Sequence, residues 1–290
     1  MKVVVIGSLG LLGKELVKTL KNKGFQVLEA DLPNYDLICY NSIGKLFWDN
    51  KDIDCVINCA AYTDVSGAEK ESEKTKVHCI NVNGVLTLGQ LCFSQNIKLI
   101  HFSTDFVFDG TSEIPYKEND IKNPLNFYGK SKLMGEEILL KGFSGVNNLF
   151  TIFRLQWLFG NNPKTFFNKI LKKAYLGDEL DIVEDEFGSP CSVAFVSNVV
   201  TNFLLKNKKF KNEVFHLTHD DYCSRYECAK YFLDKMGYFK IHPIYNAVMD
   251  VARPKFGVMN NTKLKKCLKS SLGSWKEDID AFAKELRNAK

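Results

Sequence analysis

The chain has 290 residues, 45% hydrophobic and 25% charged, with 39 Lys+Arg against 34 Asp+Glu for a net charge of +5. That is the make-up of a folded globular protein with a sizeable core, and it excludes disordered, fibrous and low-complexity classes. The mild positive excess is spread along the sequence and gathers in no face or tail, so no nucleic-acid partner is expected.

In chain order, Val3 to Ile6 form a β-branched run that ends at Gly7 and reads as a buried strand. The run is too short for a signal-peptide core or a membrane span. Together with nine cysteines, this points to reduced thiols, a cytoplasmic protein and no membrane partner. Leu12, Leu16 and Leu20, with Val17 beside them, recur at helical spacing, and Gly24 stops that helix. Further strands are expected at 25–30, 54–59 and 97–102, with a mostly helical stretch over 68–95. Another strand is expected around Thr151-Ile152-Phe153, then helices near 164–176, 195–205, 224–236 and 274–287. The densest basic run, 206–211, reads as a solvated loop after a helix.

Strands that alternate with helices at these intervals cannot be joined by tight hairpins, so they must lie parallel. The expected fold is α/β: a Rossmann-like doubly wound parallel sheet with a smaller mixed α/β substrate domain. Residues 1–150 would form the dinucleotide-binding domain and 151–290 mostly the substrate-binding one, with some later segments returning to the first. The cleft between them is the expected site.

Gly7-Ser8-Leu9-Gly10-Leu11-Leu12-Gly13 follows a strand and opens a helix with GxxGxxG spacing. Such glycines allow a tight turn and close backbone approach to a pyrophosphate held at the helix N-terminus. Asp31 ends the second strand, 18 residues after Gly13, where a carboxylate can bind ribose hydroxyls. It would repel a 2′-phosphate, and no Arg or Lys lies between Ser8 and Leu12. Of NADH and NADPH, the residues therefore point to NADH.

Tyr128-Gly129-Lys130-Ser131-Lys132 opens an amphipathic helix that continues through Leu133, Ile138 and Leu139. Tyr128 and Lys132 are four apart and share one helical face. A phenol, with an ordinary pKa of about 10, carries a proton at neutral pH, and a nearby ammonium stabilises the phenolate left after it is given up. Ser103-Thr104-Asp105 follows the 97–102 strand at its carboxyl end, where a hydroxyl of Ser103 or Thr104 could bond the same carbonyl oxygen. The stretch from Asp105 to Tyr128, with Gly110, Pro115 and Pro124, reads as a loop able to close over a substrate.

These features, with Cys59-Ala60-Ala61-Tyr62-Thr63 and Phe102-Ser103-Thr104-Asp105-Phe106-Val107-Phe108-Asp109-Gly110, resemble the extended short-chain dehydrogenase/reductases. Within them, the dTDP-4-dehydrorhamnose reductase family is the one most resembled. Arg154-Leu155-Gln156-Trp157-Leu158-Phe159-Gly160, Phe187-Gly188-Ser189-Pro190 and Ala252-Arg253-Pro254 carry the likeness through nearly the whole chain. The resemblance implies reduction of the 4-keto group of a nucleotide-activated deoxysugar by NADH or NADPH. Tyr128 would be the proton donor, Lys132 its partner and a contact of the nicotinamide ribose, and Thr104 the carbonyl's hydrogen-bond partner. Gly7, Gly10, Leu11, Leu12, Gly13, Asp31, Cys59, Ala60, Ala61, Tyr62 and Ser103, with Tyr128 and Lys132, would hold the cofactor. Thr104, Asp105, Phe106, Tyr128, Trp157 and Arg253 would meet the nucleotide sugar.

A homodimer and Mg2+ are implied by the resemblance alone, and no ligand set for a metal is visible. Ser66, Glu186, Cys191 and Gln156 depart from the family pattern, all on the substrate side. His216, His219, Cys223 and Cys228 fall close together, but their spacing matches no common zinc module. Trp48 and Trp275 read as packing residues. The competing readings are a related epimerase or dehydratase, and a non-catalytic subunit like the regulatory subunit of methionine adenosyltransferase.

Overall fold

A computed structural model describes residues 1–143, 145, 149–206, 212–247 and 250–288. The loop expected at 206–211 lies, beyond Lys206, outside the described residues. β1 (Lys2–Ile6), α1 (Leu11–Asn22) and β2 (Gln26–Ala30) open the fold, followed by α2 (Tyr40–Asp49) and β3 (Cys55–Asn58). α1 forms because Leu12, Leu16, Val17 and Leu20 make one apolar stripe that packs beneath the sheet. β3 is buried at every position, which is why it shows no alternation in sequence.

The segment expected to be mostly helical divides into α3 (Val65–Ala68), α4 (Glu71–His78), a π-helical turn at Cys79–Asn83 and α5 (Gly84–Ser94). β4 (Lys98–Thr104) runs two residues further than expected, because Ser103 and Thr104 pair with Arg154 and Leu155. Then come α6 (Phe127–Gly142) and β5 (Phe150–Leu155).

The later chain contributes β6 (Leu158–Phe159), α7 (Phe166–Tyr175), β7 (Leu180–Val183), β8 (Phe187–Gly188), β9 (Cys191–Ser192) and α8 (Val193–Lys206). It ends with β10 (Glu213–His216), β11 (Cys223–Ser224), α9 (Arg225–Lys235), β12 (Ile241–Ile244), α10 (Thr262–Leu268) and α11 (Trp275–Asn288).

Six strands form one parallel sheet in the order β10-β5-β4-β3-β1-β2. The chain leaves β1 toward β2 on one side and returns through β3 on the other, so the switch point lies between β1 and β3. Ligand crevices in such sheets open at the carboxyl ends of the strands there. α8 packs with α1 on one sheet face, and α2 and α5 cover the other. A second core gathers Phe159, Phe167, Phe232, Phe282 and Trp275 from α7, α9, α11 and the short strand pairs β6-β9, β8-β11 and β7-β12.

Trp48 is not a packing residue. It is 74% exposed, with Lys51 Nζ 4.1 Å above its ring. Ile43, Leu46 and Phe47 already fill the buried stripe of α2, which turns position 48 to the other face. The 105–126 segment is likewise no free flap. Tyr116 bridges to Met259, Arg154 Nη1 donates to the Glu118 carbonyl at 3.1 Å, and Phe108 stacks on Tyr116. Among the described residues, no helix is long and apolar enough to cross a membrane.

Candidate active site

The glycine loop is shaped by contact. A Cβ on Gly13 would lie 2.1 Å from the Gly7 carbonyl oxygen, and one on Gly7 (φ +74°) would lie 2.7 Å from the Ala60 nitrogen. α1 therefore abuts the loop it follows, and the loop abuts the turn after β3. Gly10 is the N-cap of α1 and supplies no side-chain acceptor, and the first turn carries no acidic residue. Backbone donors at Leu11, Leu12 and Gly13 and the positive end of the helix dipole are left for an anion. Asp31 closes the loop from the side, accepting the Leu9 N–H at 2.7 Å and the Leu32 N–H at 2.8 Å.

Beyond β3, Cys59, Ala60, Ala61 and Tyr62 line the same edge, half-buried. Burial pushes the Cys59 thiol well up, so it is a packing group and no nucleophile. Tyr62 is clamped to the π-helical turn: its N–H donates to Asn81 Oδ1 at 2.9 Å and its carbonyl accepts from Asn81 Nδ2 at 3.1 Å. Asn81 Nδ2 also donates to Ser131 Oγ at 2.9 Å, and that hydroxyl donates to the Tyr128 carbonyl at 2.7 Å. Asn81 thus joins the edge of the β3 loop to the helix that carries Tyr128. Nothing in the helical pattern of its segment singled it out.

Thr104, Asp105 and Tyr128 come together at the carboxyl end of β4. Burial raises the Tyr128 phenol above its ordinary pKa, and Asp105 adds to that, while a hydrogen bond with Thr104 opposes it. Tyr128 therefore holds its proton firmly. Phe106 packs edge-on against its ring at 5.7 Å. Asp105 Oδ1 accepts from Thr104 Oγ1 at 3.0 Å and Oδ2 from Gln156 Nε2 at 3.0 Å. Burial raises this carboxyl to about 6, with both hydrogen bonds pulling the other way. Among the described residues, Ser103 Oγ is buried without a partner, a polar atom left for a ligand.

One turn along α6, Lys132 is buried, and its Nζ donates to the Phe102 carbonyl at 2.7 Å. Burial pushes its ammonium down to about 8, with Glu136 opposing.

The substrate-side residues are more dispersed. Arg253 lines a cavity of about 220 Å³ with Asp185, Glu186, Asn246 and Lys255, and its buried Nε has no partner among the described residues. Trp157 (φ +42°) does not line that cavity but connects to it. Arg225 lies 4.1 Å over its ring and pairs with Glu186 at 2.8 Å. Gln156, one of the departures, is fully satisfied: Nε2 donates to Asp105 Oδ2 and to the Gly257 carbonyl at 2.7 Å, and Oε1 accepts the Ser189 N–H at 2.8 Å. Asn126, the N-cap of α6, has no place in the sequence reading, although an Asn there is a common helix start. It caps Gly129 N at 2.8 Å and donates to the Ala252 carbonyl at 2.9 Å, beside Arg253.

His216 lies between Arg154 and Asn260, and His219 pairs with Asp278. Among the described residues, no group of three metal-ligating side chains is arranged to hold an ion.

A doubly wound sheet, a GxxGxxG turn at its switch point and a Thr, Tyr and Lys set at β4 and α6 define a site of the short-chain dehydrogenase/reductase class. The family described as RmlD substrate binding domain matches residues 1–288. The dTDP-4-dehydrorhamnose reductase of Sinorhizobium fredii is 30% identical over 96% of this chain and 95% of its own. A crystal structure of a dTDP-4-dehydrorhamnose reductase from Clostridium acetobutylicum superposes with a TM-score of 0.89, 30% identical over 99% of this chain and 100% of that one. A Bacillus anthracis dTDP-4-dehydrorhamnose reductase, solved in complex with NADP, also gives 0.89, at 26% identity over 98% and 99%. The chain belongs to the dTDP-4-dehydrorhamnose reductase family.

Proposed function

We propose that the protein reduces the 4-keto group of a nucleotide-activated deoxysugar, converting dTDP-4-dehydro-L-rhamnose to dTDP-L-rhamnose with a nicotinamide cofactor. The observation that carries this reading is the meeting of Tyr128 with Thr104 and Asp105 at the end of β4, with Lys132 one helical turn on. The reduced nicotinamide supplies hydride when bound. The chain's own residues do the rest: Thr104 orients the carbonyl oxygen, Tyr128 gives it a proton, and the Lys132 ammonium favours the phenolate that remains.

The open donors of α1, the orphaned Ser103 hydroxyl and the crowding at Gly7 and Gly13 fit a dinucleotide stretched from Asp31 to Tyr128. In this division of labour, residues up to about 150 hold mainly the cofactor, and Trp157 and Arg253 serve the nucleotide sugar. Asp31 favours NADH, although the Bacillus anthracis relative was solved with NADP. Cys39, Cys55, Cys92 and Cys191, among others, are free thiols, which suits the reducing cytoplasm.

The test is to mix the protein with NADH or NADPH and dTDP-4-dehydro-L-rhamnose and follow the reduced-nicotinamide absorbance. Steady cofactor oxidation is expected. Tyr128→Phe should lower kcat by about a hundred- to ten-thousand-fold while cofactor binding persists. No oxidation by the wild-type protein with any nucleotide 4-keto sugar would overturn the proposal.

A further inference from the structure

His101 on β4 is 1% exposed and lies between Asn58 of β3 and Lys132 of α6. Its Nδ1 is 3.2 Å from Asn58 Nδ2, and its Nε2 is 3.4 Å from Lys132 Nζ. The Asn58 amide has a fixed orientation, because its Oδ1 accepts the Ala60 N–H at 3.1 Å. The group facing the imidazole is therefore the amide nitrogen, which can only donate. Nδ1 must accept, and the one proton of the neutral ring resides on Nε2. Burial, with Lys132 adding to it, holds His101 well below its ordinary pKa, so a second proton on Nδ1 does not arise near neutrality.

The Nε2–H then points at Lys132 Nζ, which already donates to the Phe102 carbonyl. An ammonium has no lone pair to receive that hydrogen, whereas an amine has one. From this geometry we infer that His101 is a positioning residue that sets the charge of Lys132, its fixed Nε2–H favouring the uncharged amine. The inference deepens the reading of Lys132 as the partner of Tyr128 and rests on it.

The other groups around Nζ do not supply this effect. Glu136, the next turn of α6, favours the ammonium, but both its oxygens are taken by buried Arg154 at 2.9 and 2.7 Å. The Phe102 carbonyl accepts from either form. Tyr128, one turn back, faces Asp105 and Thr104. Burial acts in the same direction as His101 and is common to any residue at this depth.

Because the ammonium is the form that favours the phenolate, turnover should fall as pH rises through the lysine's pKa. His101 would place that fall near the physiological range.

The experiment compares the pH dependence of kcat/KM for the wild-type protein and His101→Leu. Loss of the Nε2–H should move the alkaline fall upward by about one pH unit, a tenfold change in proton affinity. A space-filling role would scale the rate and leave the fall where it was, and that outcome would overturn the inference. A second readout needs neither the variant nor turnover: 15N NMR of histidine-labelled wild-type protein, which has five histidines to assign. His101 should show a bare Nδ1 and a protonated Nε2; the opposite tautomer also overturns the inference. Absence of turnover in the wild type would count against the proposed function, while the NMR measurement would still decide the role of His101.

Discussion

Asp31, just past β2, has both carboxylate oxygens in use, one on the Leu9 N–H inside the glycine loop and one on the next residue, Leu32. The same negative charge that shapes the loop would stand beside the adenosine ribose and repel a phosphate there. Asp31→Ala should therefore shift the ratio of kcat/KM toward NADPH over NADH, measured with both cofactors at one ionic strength. An unchanged ratio would mean that another residue makes the choice.

At this scale the sequence was legible where one residue type carries its chemistry alone: a phenol and an amine one turn apart, glycines in a turn, a carboxylate at a strand end. Asn58, Asn81 and His101 were not legible as parts of a site, and Gln156 was legible only as a departure from the family pattern on the substrate side. Each acts by joining residues 43 to 101 positions apart, as in Asn58–His101, Asn81–Ser131 and Gln156–Gly257, and no local pattern marks such bonds.

The start of α6 shows the same logic for an element. Asn126 caps the helix at Gly129 and holds the Ala252 carbonyl, while Glu69 Oε1 accepts the Phe127 N–H at 2.5 Å. The turn that carries Tyr128 is thus fixed from both the α3–α4 corner and the segment bearing Arg253. Asn126→Ala should cost about 2 kcal/mol in chemical denaturation, a lost cap plus a stranded carbonyl. It should also raise KM for the nucleotide sugar more than for the cofactor, which a KM-against-kcat comparison would reveal. Equal changes in both KM values would mean that the bond to Ala252 does not position Arg253.

Elements with strong periodicity, such as α1, β1 and α11, were readable to within a residue or two. α2 was not, because its N-cap, Cys39, offers no side-chain hydrogen bond and its buried stripe is only Ile43, Leu46 and Phe47. The break between α4 and α5 was invisible for a related reason: the π-helical turn there carries Asn81, whose bonds to Tyr62 and Ser131 have no local signature.

Across the molecule, the Arg154–Glu136 pair ties the sheet to α6. It is fully buried, with two bonds between the partners, a third from Arg154 to the Glu118 carbonyl and a fourth contact, 3.2 Å to His216. Removing one partner of such a pair leaves a charge uncompensated in the core. Arg154→Ala should cost about 3–5 kcal/mol and lower the melting temperature accordingly, measured by thermal denaturation. A loss below about 1 kcal/mol would mean that water reaches Glu136.

One edge strand of the sheet, β10, comes from residues 213–216, and α8, which seals the face beside α1, spans 193–206. The ribosome must therefore deliver about three-quarters of the chain before the sheet that begins at Lys2 can be finished. Until then Val3, Val5, Leu16 and Leu20 lack the cover of α8, and apolar surface exposed in this way makes a partly folded chain prone to aggregate. β10 and α8 are later segments that pack with the sheet of residues 1–150, so that stretch does not complete the sheet by itself. The strand ends that frame the glycine loop are therefore made early, and the apolar cover behind them is made late.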